Sequence, residues 1–204
     1  KKILYTYFFV ISSVLQAQSF GQNKVQYRDF EWSFISSPNF DVYYYGDELD
    51  LATFTMEAAN EAYEQIGKHL RWTLKKRVPI LVYHSHNEFQ QNNAVGVYMS
   101  EGIGGVTELF KNRVVIPFEG DYKAFRHVIH HELVHAMIND LIYGGRMNNV
   151  ASGQVRWSIP LWANEGLAEY LSSNWDTEAD MIIRDLAINC LLYTSDAADD
   201  VLCV

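Results

Sequence analysis

The sequence predicts an α+β fold, a small mixed sheet followed by helices, and three observations carry that expectation. Strand-like stretches interleave with a long amphipathic stretch over residues 39–118. Two helical stretches follow, over residues 121–143 and 161–173. The first of these contains His131-Glu132-Leu133-Val134-His135, two histidines at a spacing suited to one metal ion.

Residues 39–45 alternate and are rich in Val and Tyr, which suggests a strand. Residues 47–70 read as a helix, because Leu51, Phe54, Ala58, Ala62, Ile66 and Leu70 recur at spacings of three and four. Residues 78–83 form a short apolar run suited to a buried strand. After the turn Gly102-Ile103-Gly104-Gly105, residues 106–118 read as one or two strands. Residues 121–143 read as a single helix, with Asp121 at the N-cap position and Gly144-Gly145 just past the end. Its apolar positions, among them Phe125, Ile129, Val134, Met137 and Leu141, cover most of its circumference, so it should be largely buried. Pro160 sits near the start of the helix over residues 161–173, and residues 178–188 read as a third helix. No internal repeat is visible.

The chemistry follows from the spacing. Residues four apart on a helix lie one above the other, so His131 and His135 can direct two imidazole nitrogens at one ion. Glu132 stands beside them, positioned to take a proton from a water at that ion. A catalytic zinc site needs a third protein ligand and one open position. Glu165 and Glu169 lie four apart on the following helix and share a face. One can ligate, with Glu165 the leading candidate, while the other accepts a hydrogen bond from the far nitrogen of a ligand histidine. Buried His and Glu side chains carry a heavy desolvation cost unless they are paired or bind a metal, which weighs against an accidental motif on a solvated helix. Only that motif sets Glu165 and Glu169 apart from two ordinary exposed helix glutamates.

His131-Glu132-x-x-His135 with Trp162-x-x-Glu165-Gly166-x-Ala168-x-Tyr170 resembles the gluzincin branch of zinc metallopeptidases, the aminopeptidase and thermolysin-like clan, peptidase MA. The resemblance covers about residues 80 to 175 and is strongest in the two helices. It implies a zincin-like catalytic domain of the thermolysin/aminopeptidase type, C-terminally truncated, that holds one Zn2+ through His131, His135 and Glu165. Glu132 would be the general base of peptide-bond hydrolysis, and Glu169 would orient a ligand histidine. The 29 residues between His135 and Glu165 exceed the spacing usual in that clan. The excess falls in residues 144–153, a Gly/Asn/Ser-rich stretch that reads as an inserted loop. In zincins the strand before the motif helix often lies at the sheet edge and binds extended peptide by strand addition. Residues 108–115 occupy that place, with Gly104, Gly105, Val106 and Thr107 as the expected substrate-binding residues; an ordinary edge hairpin is the equal alternative. The metzincin pattern fails, because Ile138 and Leu141 stand where it needs Gly and His.

The remaining histidines receive other roles. His84-x-His86 lies at a strand end and reads as a cap or turn. His127 lies one turn before His131 and reads as a packing or supporting residue, while His130 points about 100° away from His131.

The termini bear on location. Lys1-Lys2, the apolar run of residues 3–15 and the small-x-small site Ala17-Gln18-Ser19 read as a signal peptide over residues 1–21. The expectation is an exported protein, periplasmic, in the outer envelope or secreted. The apolar run is shorter than the roughly 18 residues a spanning helix needs, so no membrane span is expected in the mature chain. Residues 190–204 resemble the in-frame translation of a sequencing adapter and read as a non-native tail. On that reading residues 22–189 are an incomplete metallopeptidase domain, and the native protein continues past Asn189. Both cysteines, Cys190 and Cys203, fall in the tail, so the domain needs no disulfide framework. The net charge of −9 and the lack of a basic patch make nucleic acid an unexpected partner. The expected partner is a peptide or protein substrate. Exported proteins with similar domains often continue into a TolB-like β-propeller, so a C-terminal propeller in the full-length protein follows from the resemblance. It also raises an alternative function, a catalytically silent zincin-fold binding or assembly module of the bacterial envelope. The intact Glu132 favours the enzyme, since a scaffold has no need of a general base.

Overall fold

A computed structural model describes residues 24, 27–93, 102–109, 111–143, 159–173 and 177–189. The expected signal peptide, the loop over residues 144–153 and the tail over residues 190–204 lie outside the described residues. The fold is α+β, with one five-stranded mixed sheet and five helices among the described residues.

Strand β1 (Trp32–Ser36) pairs antiparallel with β2 (Phe40–Tyr45), from Trp32 opposite Tyr45 to Ser36 opposite Asp41. Ser37 closes the turn, its backbone N–H donating to Phe40 O and its Oγ accepting from Phe40 N. Helix α1 (Leu49–Leu70) then crosses to β3 (Val78–Tyr83), which runs parallel to β2; a parallel pair requires such a crossover. Arg71 ends α1 in the left-handed region at φ 50°, its N–H donating to Gly67 O. A short helix α2 (His86–Phe89) follows, capped by the Ser85 hydroxyl, which accepts from Glu88 N.

Residues 106–118 form two strands. β4 (Val106–Glu108) turns back through Asn112 (φ 49°) into β5 (Arg113–Pro117). β5 lies inside the sheet, parallel to β3, and β4 is the outermost strand in the order β1-β2-β3-β5-β4. The edge strand is therefore Val106–Glu108 and not residues 108–115, which share only Glu108 with it, because β5 is already bonded on both sides.

The alternation of the strands sorts the sheet into two faces. Val42, Ile80, Val82, Val114 and Ile116 face helices α1 and α3 (Tyr122–Tyr143) and form the main core. Tyr45, Tyr83, Phe89 and Val115 form a second cluster on the opposite face, with Phe30 and Trp32 packed against it. Alanines 52, 58, 59 and 62 on α1 bring that helix close to the sheet.

Asp121 caps α3 as the sequence predicts, its Oδ1 accepting from Lys123 N at 2.7 Å and Ala124 N at 3.1 Å. At the other end the buried Asp140 accepts from Trp72 Nε1 at 2.9 Å and Lys75 N at 3.1 Å, tying α3 to the segment after α1. Asn112 Nδ2 donates to Ala136 O and ties the β4–β5 turn to the middle of α3. Helix α4 (Leu161–Ser172) begins after Pro160, whose carbonyl accepts from Ala163 N and Asn164 N. It packs on α3 through Ala168, which is fully buried, with Leu167 and Leu171 beside it.

The described residues up to Ser172 belong to one compact unit and those from Ser173 to a second, which contains α5 (Thr177–Ile188). Within α5, Arg184 Nε pairs with Asp180 Oδ2 at 2.9 Å. No helix among the described residues is long and apolar enough to cross a membrane.

Candidate metal centre

Helix α3 runs between the sheet and α4, which is why residues all round its second half are buried. Leu133, Val134, Ala136 and Met137 are fully enclosed, and Glu132 and His135 are buried with them. The histidines emerge on the side covered by α4. The burial of Ala168 on one side of α4 leaves Glu165 and Glu169, four apart, on the side that meets them.

Three donor atoms converge. His131 Nε2 lies 3.3 Å from His135 Nε2 and 3.3 Å from Glu165 Oε2, and His135 Nε2 lies 3.4 Å from Glu165 Oε2. A tetrahedral zinc site with ligand bonds of about 2.0–2.1 Å has ligand–ligand edges of about 3.3–3.4 Å. The near-equilateral triangle of two imidazole nitrogens and one carboxylate oxygen fits that face of a tetrahedron, and the donor set suits zinc. Burial lowers the His135 pKa below its ordinary value, against the raising effect of Glu165, which favours the neutral ring, the form that ligates.

Glu169 stands behind this triangle. Its Oε2 lies 3.5 Å from His131 Nδ1, the nitrogen turned away from the triangle, and 3.5 Å from His127 Nε2. The carboxylate thus faces both rings, and His127 takes the supporting position that its spacing suggests. These two histidines with Glu169 form a second set of potential donors, but His131 Nε2 already belongs to the first. His130 is turned elsewhere. Burial lowers its pKa, and the charged groups it feels include Glu61 and His69 of α1.

Glu132 is 6 % exposed and sits between α3 and the edge strand. Burial pushes its carboxyl up to about 7; the Thr107 hydroxyl opposes that shift and the Glu165 carboxylate adds to it. The Thr107 hydroxyl lies 2.6 Å from Glu132 Oε2. A cleft of ≈ 710 Å³ opens between β4 and α3, and its walls include the histidine pair, Glu132, Glu165 and Glu169. The segment from Gly104 to Thr107 lines the same cleft, so all four expected substrate-binding residues border it.

These residues already have close neighbours, however. Val106 packs on the second apolar cluster, and Gly104 and Gly105 approach α3 closely. A Cβ on Gly104 would meet Val128 at 3.3 Å, and one on Gly105 would lie 2.9 Å from Glu132 Cγ. The pairing of Thr107 with Glu132 is absent from the sequence argument. Its one signal is that Gly105, just before β4, and Thr107 within it lie two apart and both approach the motif helix. Glu108 is held by a cross-strand ion pair, its Oε2 2.6 Å from Arg113 Nε.

The chain matches no family model, no curated protein and no solved structure.

Proposed function

We propose that the chain is the metal-binding part of an exported zinc metallopeptidase with a zincin-like, gluzincin-type domain. One observation carries the reading: Nε2 of His131, Nε2 of His135 and Oε2 of Glu165 form a triangle with sides of 3.3–3.4 Å beside a buried carboxylate. His131, His135 and Glu165 hold the ion, and Glu169 orients the His131 ring through its Nδ1. A zinc ion bound there would supply Lewis acidity for a carbonyl oxygen and would lower the pKa of a bound water.

The rest of the chemistry belongs to the protein. Glu132 accepts a proton from the attacking water at a carboxylate oxygen and returns it to the leaving amine. Its burial raises its proton affinity towards neutral pH, which suits a group that must both take and give a proton. The outer edge of β4 pairs with no other strand among the described residues. An extended peptide added there would lie along the cleft with its carbonyl near the histidines.

Peptide or protein is the proposed substrate and one Zn2+ per chain the proposed cofactor. Export to the periplasm, outer envelope or exterior, and continuation into a propeller, belong to the same proposal. A mixed peptide library incubated with the zinc-loaded protein and read by mass spectrometry tests it. Cleavage that a chelator abolishes and zinc restores is the expected result; an uncleaved library with zinc bound would favour the silent binding module.

A further inference from the structure

Glu132 is gripped from two directions by the strand edge. On one side, Thr107 stands opposite Val114 in the β4–β5 register, so its side chain leaves the sheet on the face that carries α3. Its Oγ1 lies 2.6 Å from Glu132 Oε2 and 2.9 Å from the main-chain oxygen of the same residue. The hydroxyl has one proton and meets two acceptors, both of which belong to Glu132. On the other side, a Cβ on Gly105 would lie 2.9 Å from Glu132 Cγ and 3.1 Å from Oε1, so any larger residue there would crowd the side chain.

Glu has three rotatable side-chain bonds, and burial alone does not select one carboxylate orientation. A hydroxyl on a β-branched residue does. Thr has a stiff χ1, and a strand fixes where its hydroxyl points. We propose that Thr107 is the positioning residue of the reaction: its hydroxyl holds Oε2 of Glu132 and leaves the other oxygen to exchange protons with water and substrate. The kinetic consequence rests on the peptidase reading, whereas the hold on the carboxylate does not. A hydroxyl engaged this way is not a substrate contact, so Thr107 leaves the set of expected substrate-binding residues in favour of this role.

The test compares zinc-loaded wild type, Thr107→Val and Thr107→Ser, each alone and combined with Glu132→Gln. Val keeps the shape and loses the hydroxyl; Ser keeps the hydroxyl. The expected result for Thr107→Val is a fall in kcat of about 10- to 100-fold with KM within about twofold and zinc content unchanged. Thr107→Ser should recover most of that loss, and Thr107→Val should have no further effect in the Glu132→Gln background. A rise in KM with kcat preserved would make Thr107 a substrate contact and overturn the proposal, as would equal losses in the Val and Ser variants. Crystal structures of the single variants provide a readout that needs no turnover. The Glu132 carboxylate should swing away in Thr107→Val and stay in Thr107→Ser; an unmoved carboxylate in Thr107→Val overturns the proposal. A wild type that binds zinc and cleaves nothing counts against the peptidase reading, while the carboxylate position still decides the role of Thr107.

Discussion

Glu165 Oε2 and His131 Nε2 lie 3.3 Å apart although 34 positions separate them in the chain. That contact joins two helices across a long connection, and it brings a third potential donor to the two histidines of the five-residue motif. The geometry depends on α4 packing on α3 through the buried Ala168, so packing and chemistry cannot be separated here.

Glu132→Gln removes the proton acceptor and keeps the shape of the side chain. Peptide cleavage should fall by about 10²- to 10⁴-fold with zinc still bound, since general acid–base catalysis contributes on that order. Steady-state kinetics beside a metal analysis of the same sample checks it. Activity at the wild-type level would remove Glu132 from the mechanism.

Glu169→Gln leaves the three proposed ligands in place and removes the carboxylate facing His131 Nδ1. Zinc affinity should drop by about 10- to 100-fold, the usual effect of losing a partner behind a ligand histidine. Competition with a chromophoric chelator measures this, and an unchanged affinity would restrict Glu169 to the helix surface.

Asp140→Ala leaves two donors without a partner, Trp72 Nε1 and Lys75 N, beside the end of α3. The loss should be about 1–3 kcal/mol of unfolding free energy, because two part-buried donors lose their shared acceptor, the buried Asp140 carboxylate. Urea unfolding followed by tryptophan fluorescence reads it directly.

Burial raises the Tyr83 hydroxyl to about 12, and Tyr45 is raised in the same direction by burial and by its hydrogen bond to Glu88. A raised folded-state pKa means that the unfolded chain loses its proton first, near 10. Stability is then intact below pH 10 and falls as pH rises from 10 to about 12. Unfolding free energies measured across that window should decline, and less steeply in Tyr83→Phe. An equal decline in the variant would assign the effect to other groups.

Much of this was legible from local pattern. The i, i+4 spacing of His131 and His135, and of Glu165 and Glu169, is a property of the helix itself, and Asp121 announces where the motif helix starts. Strand β1 was not legible, because Trp32–Ser36 is half exposed on both faces and shows no clean alternation. The division of residues 106–118 into β4 and β5 depends on the left-handed Asn112, which composition does not announce. The hold of Thr107 on Glu132 joins a strand to a helix 25 positions away, so no periodicity encodes it.

The central claim is that His131, His135 and Glu165 bind one zinc ion. Elemental mass spectrometry of the purified full chain, with the Glu165→Ala protein beside it, tests that most directly. The account predicts about one tightly held zinc per chain in the wild type and clearly weaker retention in the variant. A folded wild type without zinc, or a variant that holds it equally well, would contradict the account.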